Sequence, residues 1–174
     1  MSLLFDGIKE NNFLIIGRAG MDLYPDPPGA ATEDAISMSV GLGGSSANIA
    51  AGICKLGGKS ALVTRVSDDS IGLYCVNQLK KYGVDVSYVK PVGGEFRNSL
   101  AVYESRVEKH QSVIYRNGAA DFQMDTDDVR VINYSKYGAL ITAGTVFAAE
   151  PSRSASMLAF SHAKSAGLPI IFDV

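Results

Sequence analysis

Short apolar segments alternate with helical patterns along this chain, and that alternation restricts the fold more than any other feature. Residues 13–16 form an unbroken apolar run ended by Gly17, the pattern of a strand buried on both faces of a parallel sheet. Three further strands are predicted, at residues 60–66, 139–143 and 169–174. Apolar residues at helical spacing predict helices over residues 45–56, 70–82 and 151–166. The order strand, helix, strand, helix predicts an α/β fold.

The predicted helix ends carry capping and stop signals. Ser45 or Ser46 is expected to cap the first helix, and Gly57 is placed to end it. Gly83 is placed to end the second helix in the same way. The acidic residues 125–128 predict a further helix-capping turn.

A second group of strands departs from the buried pattern. Apolar residues alternate with serines over residues 36–40, so one face of this strand is expected to be exposed. Two β-rich segments between residues 99 and 116 predict an antiparallel hairpin. Residues 25–32 contain three prolines and predict a loop. We expect strands near 35–42 and 98–116 to form a separate small sheet.

The composition excludes several classes of function. The 174 residues include 16 Lys or Arg and 18 Asp or Glu, and the net charge of −2 gives nucleic acid no strong attraction. The longest uncharged stretch, residues 35–54, is too rich in glycine and serine for a membrane span. Cys54 and Cys75 are lone cysteines in helical patterns, which favours reduced thiols and a cytoplasmic location. His110 and His162 lack ligand-spaced partners, so no metal site is predicted.

A glycine-rich motif, Gly-Leu-Gly-Gly-Ser-Ser-Ala-Asn at residues 41–48, leads into the first helix. Glycines let a backbone approach a ligand, and a helix N-terminus attracts anions and hydroxyl oxygens. The motif indicates either a polar ligand or a tight strand-to-helix turn. The dinucleotide motif G-x-G-x-x-G fits only in part, because Ser46 replaces its last glycine. Gly58-Lys59-Ser60 ends like a P-loop but leads from a helix into a strand, the reverse of the required order.

Several motifs occur together in an order that resembles one enzyme family. They are the strand at residues 14–17 followed by Asp22, the Gly43-Gly44-x-x-x-Asn48 turn, the Val-Ser-Asp-Asp-Ser-Ile-Gly segment at residues 66–72, and a last strand ending in Asp173. Together they resemble the amino-terminal half of ribokinase-like (PfkB) sugar kinases over nearly the whole chain. Residues 17–25 and 111–121 further resemble the 5-dehydro-2-deoxygluconokinases, the members of this family that act in inositol catabolism.

The resemblance implies a doubly wound, mostly parallel sheet that carries a small β-sheet lid, with residues 1–174 forming the N-terminal part of this α/β domain. By the match, Asp22 accepts hydrogen bonds from substrate hydroxyls and Asn48 offers its amide to another hydroxyl. Gly43 and Gly44 form the turn beneath the sugar. The ordinary alternatives are a turn residue for Asp22 and a polar first-turn residue for Asn48.

Arginines are the expected contacts for an acidic substrate. In related sugar-acid kinases an arginine after a tyrosine, at the position of Arg116, reaches the substrate, where its planar fork suits a carboxylate or keto-acid oxygen. An exposed salt bridge is the alternative role. Arg18 and Arg97 are further candidates. Asp173 opens the family's D-x-N-x-R segment, whose Asn and Arg are absent from this sequence.

The family's catalytic motif is also absent from this sequence. In the family, a Gly-Ala-Gly-Asp motif in the carboxyl-terminal half positions and deprotonates the attacking hydroxyl and, with Mg²⁺, stabilises the transferred phosphoryl group beside the ATP pocket. No catalytic residue is therefore predicted here, and ATP and Mg²⁺ are expected only in the complete enzyme.

The resemblance thus implies the substrate-binding half of a sugar-acid kinase for 5-dehydro-2-deoxy-D-gluconate, inactive by itself. One alternative is a kinase for another sugar, such as 2-keto-3-deoxygluconate, fructose or ribose. Another is a non-catalytic sugar-binding or interaction module. Because members of the family often pair their lids, a homodimer through the lid is also implied.

Overall fold

The computed structural model describes residue 8 and residues 10–173, which fold into two sheets flanked by helices. In chain order the elements are β1 (Asn12–Ile16), β2 (Gly20–Asp26), β3 (Ser37–Gly43), α1 (Ser45–Lys55), β4 (Lys59–Ser67), α2 (Ser70–Lys81), β5 (Val89–Val92), β6 (Leu100–Tyr103), β7 (Ser112–Tyr115), α3 (Thr126–Arg130), β8 (Ala139–Ala143), α4 (Ser152–Ser165) and β9 (Ile170–Asp173). Val174, which the sequence places in the last strand, lies outside the described residues.

The larger sheet is parallel throughout and runs β5-β4-β1-β8-β9. β1 lies at its centre, and alternate side chains of β1 enter two different cores. Ile15 packs with residues of α1 and α2, whereas Leu14 and Ile16 pack with residues of α3 and α4. All three side chains are fully buried, which stabilises the fold by roughly 1.5–3 kcal/mol each. Helices on both faces make this a doubly wound α/β fold, as the resemblance implies.

The smaller sheet has four strands in the order β3-β2-β6-β7, and we call these strands the lid. β2 is antiparallel to β3 and parallel to β6, and β6 and β7 form the predicted hairpin. β2 itself was not predicted. Pro25 and Asp26 belong to β2, so the loop expected over residues 25–32 is wrong at its start. Proline is tolerated there because β6 pairs only with residues 21–23 and leaves that end of β2 with one neighbour.

The lid has two different faces. Paired residues of neighbouring strands point to the same side, so Val40, Leu23, Val102 and Val113 form one apolar row. Asp22, Ala101 and Ile114 form a row on the opposite side. The first row ends in two exposed valines, Val40 and Val113. The lid therefore presents an apolar outer face, and Asp22 lies on its other face.

The caps of the helices follow the sequence only in part. Gly44 is the N-cap of α1 and no side chain caps that helix, so the expected Ser45 or Ser46 cap is wrong. Ser46 instead donates its hydroxyl to the Ile16 carbonyl, 3.0 Å away, and thereby ties α1 to β1. The acidic turn at residues 125–128 is confirmed, because Asp125 and Asp128 form a capping box for α3.

Asp128 also fastens α3 to the larger sheet. Its carboxylate accepts hydrogen bonds from Arg65 Nε at 2.7 Å and Arg65 Nη2 at 2.9 Å, and Lys90 Nζ lies 2.9 Å from the same group. Burial alone would raise the pKa of Asp128, but these two cations hold that pKa below its ordinary value. Asp128 is therefore a buried carboxylate that needs both partners.

Glu104 holds the lid together at the end far from the larger sheet. Its side chain accepts hydrogen bonds from Thr32 N at 2.8 Å, Arg106 Nε at 2.6 Å and Gln111 N at 2.7 Å. The hydrogen bond from Thr32 is the largest cause of a pKa lowered from 4.5 to about 2. Glu104 thus joins the β2–β3 connection to the β6–β7 hairpin.

Two apolar surfaces remain open. β9 lies at the edge of the larger sheet, with Ile170, Ile171 and Phe172 exposed. β7 lies at the edge of the lid, and all of its residues are exposed.

No helix in the described part of the chain has the length and apolar character needed to cross a bilayer.

Candidate functional site

The site lies where the carboxyl ends of the parallel strands meet the lid. β1 ends at Ile16 and β2 begins at Gly20, so the lid starts directly at this edge of the sheet. β3 then returns to the same edge and leads through Gly44 into α1. Ligands of open α/β sheets bind outside the carboxyl ends of the strands. The candidate site therefore comprises the residues between this edge and the inner face of the lid.

Asp22 is the central acidic group of this region. It lies within β2, so the turn role considered for it is wrong, and it is 6% exposed. Its Oδ1 atom is buried and has no hydrogen-bond partner among the described residues. Burial raises the pKa of Asp22, while the charge of Arg18 and the hydroxyl of Tyr24 act in the opposite direction. An acceptor of this kind is suited to a ligand hydroxyl, which can donate a hydrogen bond to it.

Gly43 and Gly44 are required by close packing around Asp22 and Arg18. A Cβ atom at Gly43 would overlap the Asp22 carboxylate, and one at Gly44 would overlap the Arg18 carbonyl oxygen. Gly44 also has φ of +100°, a backbone conformation that L side chains rarely adopt. The two glycines thus allow the turn before α1 to lie directly against the start of β2.

Arg18 completes this group from the connection between β1 and β2. It is 7% exposed, and its Nη1 donates to Ser99 Oγ at 2.9 Å. Ser99 also accepts a backbone hydrogen bond from Met21 at 3.1 Å, which holds β2 beside β6. The structure therefore brings together four residues singled out from the sequence, which are Arg18, Asp22, Gly43 and Gly44.

Asn98 joins the base of the lid to the larger sheet, and sequence reasoning missed it. Its Oδ1 accepts from Ser67 N at 2.6 Å, and its Nδ2 donates to the Ala19 carbonyl at 3.3 Å and to Cys75 Sγ at 3.1 Å. Burial raises the pKa of the Cys75 thiol to about 12, with the Asn98 hydrogen bond acting in the opposite direction. An asparagine in the connection before β6 gives no local signal of such partners, which come from three separate segments.

Arg116 lies beyond the end of β7 and is held by the α/β domain. Its Nε and Nη2 both donate to Asp121 Oδ2, at 3.2 Å and 2.5 Å, and Nη2 also donates to the Thr145 carbonyl at 3.1 Å. The guanidinium stacks on the Phe122 ring, with Cζ 4.2 Å from the ring centroid. The salt-bridge alternative is thus present, although the pair is mostly buried instead of exposed.

A cavity of about 410 Å³ lies beside Arg116 and is lined by Ile114, Phe122 and Glu150 among others. Ile114 is two strands from Asp22 in the same row of the inner lid face. Two strand spacings amount to roughly 10 Å. Asp22 therefore offers an acceptor near one side of the inner lid face, and Arg116 offers donors near the other side.

Three other predicted residues lie apart from this arrangement. Asn48 is exposed on the first turn of α1 and lines a different cavity, which fits its alternative role as a polar first-turn residue. Arg97 is exposed, donates to the Gly94 carbonyl at 2.7 Å, and lies 3.9 Å from the Asp69 carboxylate. Asp173 is exposed at the end of β9.

The described residues contain no group of three or more His, Cys, Asp or Glu side chains that could hold a metal ion. Cys54 and Cys75 are both free thiols, and Cys75 is buried whereas Cys54 is half-buried.

Comparison with known proteins agrees with this architecture. Residues 10–174 match the model of the pfkB family carbohydrate kinases. A 5-dehydro-2-deoxygluconokinase of Clostridium perfringens is 36% identical over 98% of this chain and 51% of the relative. One from Geobacillus thermodenitrificans is 33% identical over 100% of this chain and 52% of the relative. The chain spans about half the length of these curated relatives.

A solved structure of similar fold is an uncharacterized sugar kinase from Pyrococcus horikoshii in complex with ATP. It has a TM-score of 0.81 and 25% sequence identity, covering 93% of this chain and 52% of the other. The family match agrees with the observed architecture, in which a small lid sheet accompanies the larger parallel sheet. The chain belongs to the pfkB family of carbohydrate kinases.

Proposed function

We propose that this chain binds the sugar substrate of a PfkB-family kinase, and that the substrate is 5-dehydro-2-deoxy-D-gluconate. The names of the curated relatives support this substrate. The observation that carries the proposal is the buried Asp22 carboxylate, whose Oδ1 has no donor among the described residues and lies beside the two obligatory glycines. A sugar hydroxyl supplies the missing donor, and Arg116 faces the acidic end of the sugar.

ATP and Mg²⁺ belong to the proposed activity of the complete enzyme. Kinases of this family use ATP, which the related structure from Pyrococcus horikoshii contains. The family's Gly-Ala-Gly-Asp motif does not occur in this sequence, so we assign this chain no step of phosphoryl transfer. The role of its residues is to bind and orient the sugar. We expect no phosphorylation of the sugar by the 174-residue chain in a coupled kinase assay.

The free thiols of Cys54 and Cys75 support a cytoplasmic location. The exposed apolar outer face of the lid supports a homodimer, in which a second copy covers Val40 and Val113.

Calorimetric titration of the purified chain tests the substrate proposal. We expect heat of binding with 5-dehydro-2-deoxy-D-gluconate, and weaker binding of 2-keto-3-deoxygluconate, fructose and ribose. Charged hydrogen bonds are worth roughly 1.5–3 kcal/mol, so Asp22→Asn should weaken binding at least about tenfold.

The matched control is Asp127→Asn, which makes the same chemical change at an exposed side chain paired with Arg130. Its affinity for the sugar should equal that of the wild type. Tighter binding of one of the other three sugars would replace the proposed substrate. Absence of binding for all four sugars, or equal affinity of the wild type and Asp22→Asn, would overturn the proposed site.

A further inference from the structure

The Arg116 guanidinium is held along one edge. Nε and Nη2 are both engaged by Asp121 Oδ2, and Nη2 also by the Thr145 carbonyl. Nη1 has no protein partner among the described residues, and Arg116 lines the cavity of about 410 Å³. Of the five N–H donors of arginine, the pair on Nη1 is thus left for a ligand. The protein therefore already engages Nε and Nη2 of the guanidinium fork that the sequence leads us to expect at the substrate.

The Asp121 carboxylate is difficult to explain as a stabilising group. The residue is 5% exposed, and its Oδ1 is buried without a partner among the described residues. A buried charge with incomplete hydrogen bonding costs stability, and even a well-formed buried ion pair contributes little net stability. What this carboxylate does achieve is to fix the direction of one long side chain.

Glu150 lines the same cavity as Arg116. Its carboxylate accepts from Ser154 N at 3.1 Å and lies 4.0 Å from Arg153 Nε. A released guanidinium could pair with Glu150 inside the cavity. That pairing would neutralise the charge of Arg116 and occupy the donors that an acidic ligand needs.

We propose that Asp121 is a positioning residue that holds Arg116 away from Glu150, with Nη1 directed to the acidic group of the substrate. This inference rests on the proposed function for the identity of the ligand. It assigns Asp121 no contact with the sugar, because the carboxylate acts only through Arg116.

Calorimetry on three variants of the chain tests this role. Asp121→Asn keeps the side-chain shape but removes the charge, and should weaken binding of 5-dehydro-2-deoxy-D-gluconate at least tenfold while leaving fructose affinity within twofold. Adding Glu150→Gln to Asp121→Asn should restore most of the lost affinity, since the competing partner is then gone. Asp127→Asn is the control and should behave as the wild type. A merely structural role of Asp121 would lower both affinities together and show no rescue.

Nitrogen-15 relaxation of the Arg116 Nε–H group gives a second readout that needs no ligand. We expect a rigid group in the wild type and in Asp127→Asn, and an order parameter below roughly 0.6 in Asp121→Asn. If the wild type binds no sugar acid, the proposed function fails, and the relaxation data alone decide whether Asp121 positions Arg116. Unchanged Arg116 mobility in Asp121→Asn, or tighter binding of the acid by that variant, would overturn the inference.

Discussion

Gly44 precedes the first residue of α1 and Gly52 lies inside the helix, and a methyl group should have opposite effects at the two positions. At Gly44 the new Cβ meets a backbone carbonyl at φ of +100°, whereas at Gly52 it meets nothing within 4 Å. Left-handed backbone costs an alanine roughly 1–2 kcal/mol before the overlap is counted. Alanine is about 0.5–1 kcal/mol better than glycine inside a helix. Urea denaturation should therefore show Gly44→Ala losing at least 2 kcal/mol and Gly52→Ala gaining stability.

Two neighbouring aspartates of α3, Asp127 and Asp128, should differ in how much they contribute to the free energy of unfolding. Asp128→Ala leaves Arg65 and Lys90 without their shared carboxylate, and Arg65 is 19% exposed at its side chain. Breaking a buried pair costs about 3 kcal/mol or more, and partial exposure places this case near that lower value. Asp127→Ala removes only an exposed pair and should change the free energy of unfolding by less than about 0.5 kcal/mol. Equal losses in thermal denaturation would show that Asp128 is not the fastening group.

At the scale of elements, Glu104 should make the stability of the lid depend on pH. Because its pKa falls from 4.5 to about 2 on folding, the unfolded chain binds more protons between these values. The stabilisation that ionised Glu104 gives the lid is complete above pH 4.5 and is lost as the pH falls toward 2. Hydrogen exchange of lid amides should therefore accelerate over that interval.

Glu104→Gln is the control for this pH effect. It removes the titrating group, so the lid of the variant should exchange faster than that of the wild type at pH 6, with a weaker dependence on pH below 4.5. A wild-type lid whose exchange, corrected for the intrinsic rate, does not change between pH 4.5 and 2.5 would contradict the role of Glu104.

The elements that the sequence predicts are those whose signal is local. β1, β4, β8 and the helices α1, α2 and α4 agree with their predicted ranges within one or two residues, because each carries its own periodicity. β2 does not, since Gly20, Asp22 and Pro25 all disfavour a strand. β2 forms because β3 and β6 bind it on both sides, and these partners lie elsewhere in the sequence. β5 is a four-residue edge strand containing a proline and was missed for the same reason.

The residues of the candidate site also differ in whether a local sequence signal reveals them. Gly43 and Gly44 stand out locally, and family resemblance adds Asp22 and Arg18, which the structure places beside them. Asp121 lies within the segment 111–121 that resembles the family, but its pairing with the Arg116 side chain is visible only in the structure.

At the scale of the whole molecule, the outer face of the lid predicts self-association. Val113 and Ile114 are adjacent exposed residues that point to opposite faces of the lid. Val113→Lys puts a charge into the proposed contact between two copies, whereas Ile114→Lys puts it on the inner face. Light scattering should show twice the monomer mass for the wild type and for Ile114→Lys, and the monomer mass for Val113→Lys. A monomeric wild type at high concentration would argue against the lid-to-lid dimer.

The lid is assembled from two stretches of chain that are far apart in sequence, and this affects the order of folding. The hydrogen bond from Asn98 to the Ala19 carbonyl joins residues 79 positions apart, and β6 pairs with β2 over the same interval. Contacts of such long separation form slowly, because a large loop must close first. During synthesis the β2–β3 hairpin must therefore wait, with one strand edge unpaired, until β6 has left the ribosome. The lid can thus be completed before the larger sheet, whose strands β1 and β8 pair across 126 positions of the sequence.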